Sequence, residues 1–268
     1  MNSTAGLIII LEEQKIPEKD GKKIMEYGIQ MYSLRDITDK DLDGALRAVA
    51  EMGYKTVEFA GFFGHSAEEV RAMLDKYGLV CSGTHSGLGD LVNNFDETVK
   101  YHQTIGNHNY IIPGHDLSTK AKLDEFIAQC NEIAPKLREK GIELGYHNHS
   151  HEFIPTAEGY EIHKELEERC DVFFELDTYW AFVAKRDPVA EMERLKSRLR
   201  CIHLKDGSPE GKGCSLGQGA APVKAVRKKA IELGVGIVVE SEGLDPTGKE
   251  EVERCIKFLK DCDAEDAE

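Results

Sequence analysis

The chain has 268 residues, 41% of them apolar and 31% charged, with 25 Gly and only 8 Pro. That composition excludes collagen, a coiled coil and a wholly disordered chain, and the length is ample for a sizeable core. Against 34 Lys and Arg stand 49 Asp and Glu, a formal charge of −15, which repels phosphate backbones and anionic membrane surfaces.

The short basic runs Lys22-Lys23 and Arg227-Lys228-Lys229 sit among acids and read as solvated surface. The seven cysteines are widely spaced and form no C-x-x-C, so neither a disulfide framework nor a cysteine zinc site is expected. The apolar run 7–11 is too short to span a membrane and short for a signal-peptide core. The expectation is a cytoplasmic protein with no nucleic-acid or membrane partner.

Residues 1–24 differ in character from the remainder of the chain. They read as an added β-hairpin arm, a disordered leader, or upstream sequence before a start at Met25. Residues 25–268 read as one domain, with no linker dividing them. β-rich runs at 27–34, 56–60, 79–85, 110–113, 142–147, 172–177, 201–205 and 237–240 alternate with helical patterns near 41–52, 66–77, 94–106, 119–140, 158–169, 187–198, 220–233 and 247–261. Gly53, Gly78, Gly141 and Gly234 stand where helices end, Asp187-Pro188 reads as an N-cap with Pro in the first turn, and Ser66 with Glu69 fits a capping box. Eight strand–helix units predict an α/β fold, a single (β/α)8 TIM barrel. The alternative, an open doubly wound sheet, lacks a G-x-G-x-x-G after its first strand.

Function in a barrel gathers at the C-terminal ends of the strands. Those ends carry Glu58, His85, His147-Asn148-His149 with Glu152 beyond, Glu175 and Asp177, His203 and Lys205, and Glu240 with Glu242. Charged groups ending apolar runs are costly to bury unless paired or bound to metal. With a side-chain period of two, Asp177, His203 and Glu240 can point together into the barrel mouth. Such a mixed oxygen and nitrogen set suits Mn²⁺, Mg²⁺, Co²⁺ or Zn²⁺, with Mn²⁺ the leading expectation. The sole tryptophan, Trp180, can wall a sugar site, and Leu216-Gly217-Gln218-Gly219 reads as a flexible loop.

Several segments carry a family resemblance. Gly28-Ile29-Gln30-Met31-Tyr32-Ser33-Leu34-Arg35-Asp36, Tyr54-Lys55-Thr56-Val57-Glu58-Phe59, Tyr146-His147-Asn148-His149-x-x-Glu152-Phe153, Leu176-Asp177-Thr178-Tyr179-Trp180, Ile202-His203-Leu204-Lys205-Asp206 and Val239-Glu240 resemble the sugar phosphate isomerase/epimerase family of xylose-isomerase-like TIM barrels, in the branch with a YHNHxxEF motif. The resemblance implies one divalent metal held by strands 5 to 8. It assigns Asp177, His203 and Glu240 directly and Glu152 as the fourth ligand, with His147 or His149 as alternatives or as bases. It further implies catalytic roles among Glu152, Glu240, His147, His149 and Lys205, substrate contacts from Glu58, His85, Asn148 and Trp180, and a homodimer, since relatives often dimerise.

The implied reaction is isomerisation or epimerisation of a small-molecule sugar, by proton abstraction next to a carbonyl with a metal-stabilised enediolate. The alternatives are a lyase acting on a keto-sugar, such as a dehydratase or a 3-keto-glycoside-cleaving enzyme, and a sugar-binding barrel without turnover. No arginine cluster at the strand ends announces a phosphate site, which favours an unphosphorylated substrate.

Overall fold

The structure, a computed structural model, describes residues 26–267 and an antiparallel pairing of Glu18–Lys19 with Lys22–Lys23; the rest of the 1–24 extension lies outside the described residues. Eight parallel strands close a barrel: β1 Gly28–Gln30, β2 Thr56–Phe59, β3 Val80–His85, β4 Asn109–Ile112, β5 Glu143–His147, β6 Phe173–Asp177, β7 Leu199–Leu204 and β8 Gly236–Val239. Each pairs with the next, and β8 returns to β1. Closure makes the fold a TIM barrel and rules out the open sheet.

The principal helices are α1 Leu42–Met52, α2 Ala67–Tyr77, α3 Phe95–Ile105, α4 Lys120–Arg138, α5 Ile162–Arg169, α6 Pro188–Leu195, α7 Val223–Leu233 and α8 Gly248–Glu265. Their ends follow the local chemistry of the sequence. Ser66 and Glu69 form a reciprocal capping box on α2, and Asp187 caps α6 ahead of Pro188. Gly53, Gly78 and Gly234 close α1, α2 and α7 in the left-handed conformation. No described helix is long and apolar enough to cross a membrane.

Strand alternation sorts the side chains into two populations. Phe174, Leu176, Ile202 and Leu204 join the main core between strands and helices. Their neighbours Phe173, Glu175, Asp177, Cys201 and His203 belong to the barrel interior. A separate small apolar plug of Ile111, Phe173 and Cys201 fills the lower interior. Gly145 on β5 makes room for it, because a Cβ there would collide with the Phe173 ring. Two residues further along β6 and β7 the interior becomes polar, and that layer carries the site.

The opening strand departs from expectation. Run 27–34 is strand only to Gln30; Met31–Leu34 is a 3₁₀ turn leading into the short helix Arg35–Thr38. The Gln30 side chain accepts from the Tyr32 N–H, and Met31 and Leu34 are buried three residues apart, which is a helical spacing and not a strand spacing. α5 likewise starts at Ile162 rather than 158, after a turn containing Gly159 at φ 85°.

His163 on α5 is fully buried, stacked between Phe153 and Phe174 at centroid distances of 4.5 and 4.9 Å. Burial, reinforced by the charges of Arg194, Arg186 and Arg198, pushes its pKa down from 6.5 to about 3. The unfolded chain therefore takes up a proton on His163 below pH ~6.5 that the native chain refuses. Stability from this residue is complete above pH 6.5 and is lost as pH falls towards 3. Urea denaturation between about pH 7 and 4 should show a shallower acid loss for His163→Phe than for wild type; identical slopes would remove His163 from the acid response.

Candidate active site

The centre of the site is His203, near the end of β7 and fully buried. Its Nδ1 lies 2.8 Å from Glu240 Oε2 and 3.9 Å from Asp177 Oδ2. Its Nε2 lies 2.8 Å from Glu58 Oε1 and 3.2 Å from Glu175 Oε2. Burial opposes a charged ring, but the carboxylates of Glu175, Glu58 and Glu240 outweigh it and hold the pKa well above the ordinary value. Beneath the ring, Gln30 Nε2 donates to Glu58 Oε1 (2.6 Å), and His85 Nε2 sits 2.7 Å from Glu175 Oε2. Burial, and then the charge of Glu175, push the Glu58 carboxyl up to about 7.

The second cation of the floor is Lys205, which is also buried. Its Nζ lies 3.2 Å from Asp177 Oδ2 and 3.2 Å from Glu240 Oε2, it bonds Glu242, and it stands 5.1 Å from the Trp180 ring centroid. Burial raises the Glu240 carboxyl, yet Lys205 and then His203 hold it well below the carboxylate range. Asp177 is lowered in the same way, by Lys205 and then His147 against the effect of burial. Asp177 divides its oxygens: Oδ2 faces Lys205 and His147, while Oδ1 accepts the Trp180 N–H and caps the short helix Thr178–Val183.

His147 ends β5 with Nε2 3.4 Å from Asp177 Oδ2, and its buried Nδ1 has no partner among the described residues. Burial lowers its pKa to about 4, so the ring is neutral at neutral pH. Donor atoms of His147, Asp177, His203 and Glu240 all lie within 4.8 Å of one another, and all four residues are buried. A second group, His85, His147, Glu175 and His203, adjoins it. Two carboxylates, two imidazoles and an unpartnered ring nitrogen fit a divalent cation.

Above the floor opens a cavity of about 580 Å³, lined by His85, His147, His149, Trp180, Glu240 and Glu242, with Tyr32 at its rim. Four expected residues stand elsewhere. Glu152 lies outside both donor groups, accepting from the Tyr146 hydroxyl (3.0 Å) and the His149 N–H (2.8 Å); the 3₁₀ turn His151–Phe153 carries it away from the strand end, and His147 stands at the floor instead. Asn148 does not line the cavity, because both ends of its amide bond the Asp177 backbone and so tie β5 to β6. Glu58 is 1% exposed and supports His203 from below. Lys205, expected among the catalytic groups, is buried in the floor and does not line the cavity. Loop 216–219 is also pinned: Asp206 accepts N–H bonds from Gly207, Gly217, Gly219 and Ala221 at 2.8–3.1 Å. Glu175 and Glu242 received no role from the sequence; the two-residue period running back from Asp177 was the available signal for Glu175.

A family model described as the xylose isomerase-like TIM barrel matches residues 46–262. The chain belongs to this family. Among curated proteins it is 25% identical over 189 residues to the inosose dehydratase of Geobacillus kaustophilus (strain HTA426), covering 61% of each chain. It is 28% identical over 189 residues to the inosose dehydratase of Mesomycoplasma hyopneumoniae (strain 7448), covering 63% of each. The chain thus spans less than two thirds of these relatives. A sugar phosphate isomerase/epimerase from Parabacteroides distasonis ATCC 8503 superposes with a TM-score of 0.75 at 25% identity, covering 87% of this chain and 97% of that one.

Lys205 is the one lysine or arginine within ion-pair distance of the buried Asp177 and Glu240 carboxylates among the described residues. Removing one partner of a buried ion pair leaves the others uncompensated. Lys205→Met should cost about 3–5 kcal/mol in urea denaturation of chelator-treated protein; a loss below about 1 kcal/mol would mean that Lys205 does not balance the floor.

Proposed function

We propose that the chain is a metal-dependent lyase that enolises a keto-sugar or keto-polyol and expels the substituent on the next carbon. The observation that carries the reading is the supply of free bases. Epimerisation takes a proton from one face of a carbon and returns one to the other, which calls for two groups. Of the imidazoles and carboxylates lining the cavity, His149 alone has a ring or carboxylate with no ion pair or hydrogen bond among the described residues. The curated relatives named as dehydratases support the same outcome.

His147, Asp177, His203 and Glu240 would hold the metal, with Mn²⁺ the leading choice, and a cation bound there supplies Lewis-acid polarisation of the substrate carbonyl. His149 takes the proton from the carbon beside the carbonyl, since an imidazole can serve as both base and acid. Lys205, beneath the cavity, offsets the negative charge of Asp177 and Glu240 and so positions both carboxylates. Trp180 walls the ring of the substrate, and His149 returns its proton to the departing oxygen. Glu58, Glu175 and Asn148 act as positioning residues, the first two on His203 and the third on Asp177. Isomerisation or epimerisation is the second reading, favoured by the name of the Parabacteroides structure.

Two measurements test this function. Titration of Mn²⁺ into chelator-stripped protein should give one ion per chain, at least about tenfold weaker binding in Asp177→Ala and unchanged binding in Glu152→Gln. Loss in the Glu152 variant instead would return that residue to the ligand set. Proton NMR in D₂O with a panel of keto-sugars and keto-inositols should show an unsaturated product, with the rate falling ~10²–10⁴-fold in His149→Ala. A stereoisomer or aldose carrying deuterium beside the carbonyl would establish the isomerase reading in its place.

A further inference from the structure

The reaction cavity does not end at His85. Gly61 and His85 line it and also line a second cavity of about 500 Å³, whose other walls come from Phe62, Tyr101, Asn94, Asp90 and Glu97. Either volume alone falls in the ~300–1,000 Å³ range of small-molecule sites. Phe62 and Tyr101 pack at a centroid distance of 4.5 Å and give the second cavity an aromatic side. Asp90, Asn94 and Glu97 are exposed, and their side chains make no hydrogen bond among the described residues, so they are free to bind hydroxyls. An aromatic surface together with carboxylates and an amide suits a neutral polyol ring. Among the described residues no lysine or arginine lines either cavity, and Asp90 and Glu97 would repel a phosphate or a uronate.

The junction has its own device. In the loop after β2, Gly61, Phe63 and Gly64 all have positive φ, at 99°, 53° and 81°. For a bulky aromatic this is a strained backbone, held only where the surroundings over-determine it. Phe63 is nonetheless 42% exposed, and its ring tip stands 3.9 Å from where a Cβ of Gly61 would be. A strained backbone thus presents a solvent-facing ring beside Gly61, a residue that lines both cavities, although Phe63 itself lines neither.

We propose that the second cavity is a subsite for a second sugar ring, so that the substrate is a neutral, unphosphorylated glycoside. Its keto ring occupies the first cavity and its partner sugar crosses Gly61, within reach of the Phe63 ring. The inference rests on the reading of the first cavity as a keto-sugar site. The expelled substituent is then the partner sugar. The C–H electrons form the new C=C bond and the C–O electrons leave on the glycosidic oxygen. That oxygen receives the proton held by His149, giving an unsaturated keto-sugar and a free sugar with no oxidant or reductant.

The test compares equilibrium binding of the methyl α- and β-glucosides with a panel of glucose disaccharides, to wild type and to Phe63→Gly. Glycine relieves the positive φ, so the variant keeps its fold, checked by an unchanged or higher Tm. At least one disaccharide should bind about tenfold more tightly than either methyl glucoside, and the advantage should fall about three- to tenfold in Phe63→Gly, the size of a lost aromatic contact. Equal binding of disaccharides and methyl glucosides, or an advantage untouched by Phe63→Gly, would overturn the subsite. In parallel, keto-disaccharides are assayed for release of free sugar. If the binding advantage holds while no keto-sugar is turned over, the lyase reading fails and the subsite stands.

Discussion

Everything at the mouth of this barrel depends on one imidazole held between carboxylates. His203 meets Glu240 and Asp177 through one ring nitrogen and Glu58 and Glu175 through the other. An isolated carboxylate in that interior would be prohibitively costly to desolvate, and four of them are present. They persist because His203, Lys205 and His85 distribute positive charge and protons among them. The apolar plug of Ile111, Phe173 and Cys201 below and the helix-facing core around the strands keep water from dissolving the arrangement. The barrel therefore carries its chemistry as a polar layer supported from beneath, not as a set of loops laid on top.

Much of this was legible in the sequence because it depends on periods. Eight alternations of strand and helix pattern gave the closed fold, and glycine, serine and aspartate punctuation marked the helix ends. A period of two along β6 and β7 brought Asp177 and His203 onto the barrel axis, and Glu240, directly after β8, completes the group. What sequence spacing could not supply was the geometry just past a strand end. Glu152 is five residues beyond His147, and a 3₁₀ turn decides where it goes. Asn148 was drawn to the N–H and C=O of Asp177 on the neighbouring strand, a demand that no local pattern records. Glu58 reads as a strand-end acid but lies deep, because β2 carries it level with Gln30 of β1 rather than at the rim. The first strand was overextended because a β-rich stretch of eight residues hides a change of period from two to three.

Strain and stability divide along the same boundary. The lower barrel obeys ordinary packing rules, with glycine where a ring needs room and capped helices around it. Several departures from those rules stand at the open end: Phe63 at positive φ, the orphaned nitrogens of His147 and Trp180, and three cationic side chains among carboxylates; others, such as Lys185 at positive φ and the orphaned His163 Nε2, lie away from it. Local violations of this kind are expected where a fold is committed to binding.

Asp177 gives the chain a built-in optical reporter. One of its oxygens faces the floor, and the other caps the short helix that starts with Thr178 and carries Trp180, the chain's single tryptophan. Any group that draws Asp177 towards the floor also pulls on the first turn of that helix, and so on an indole that sits 5.1 Å from the Lys205 ammonium. Emission from that lone indole, excited selectively beyond the tyrosine band, therefore reports on the carboxylate without a label, and the wall of the cavity is linked to its base.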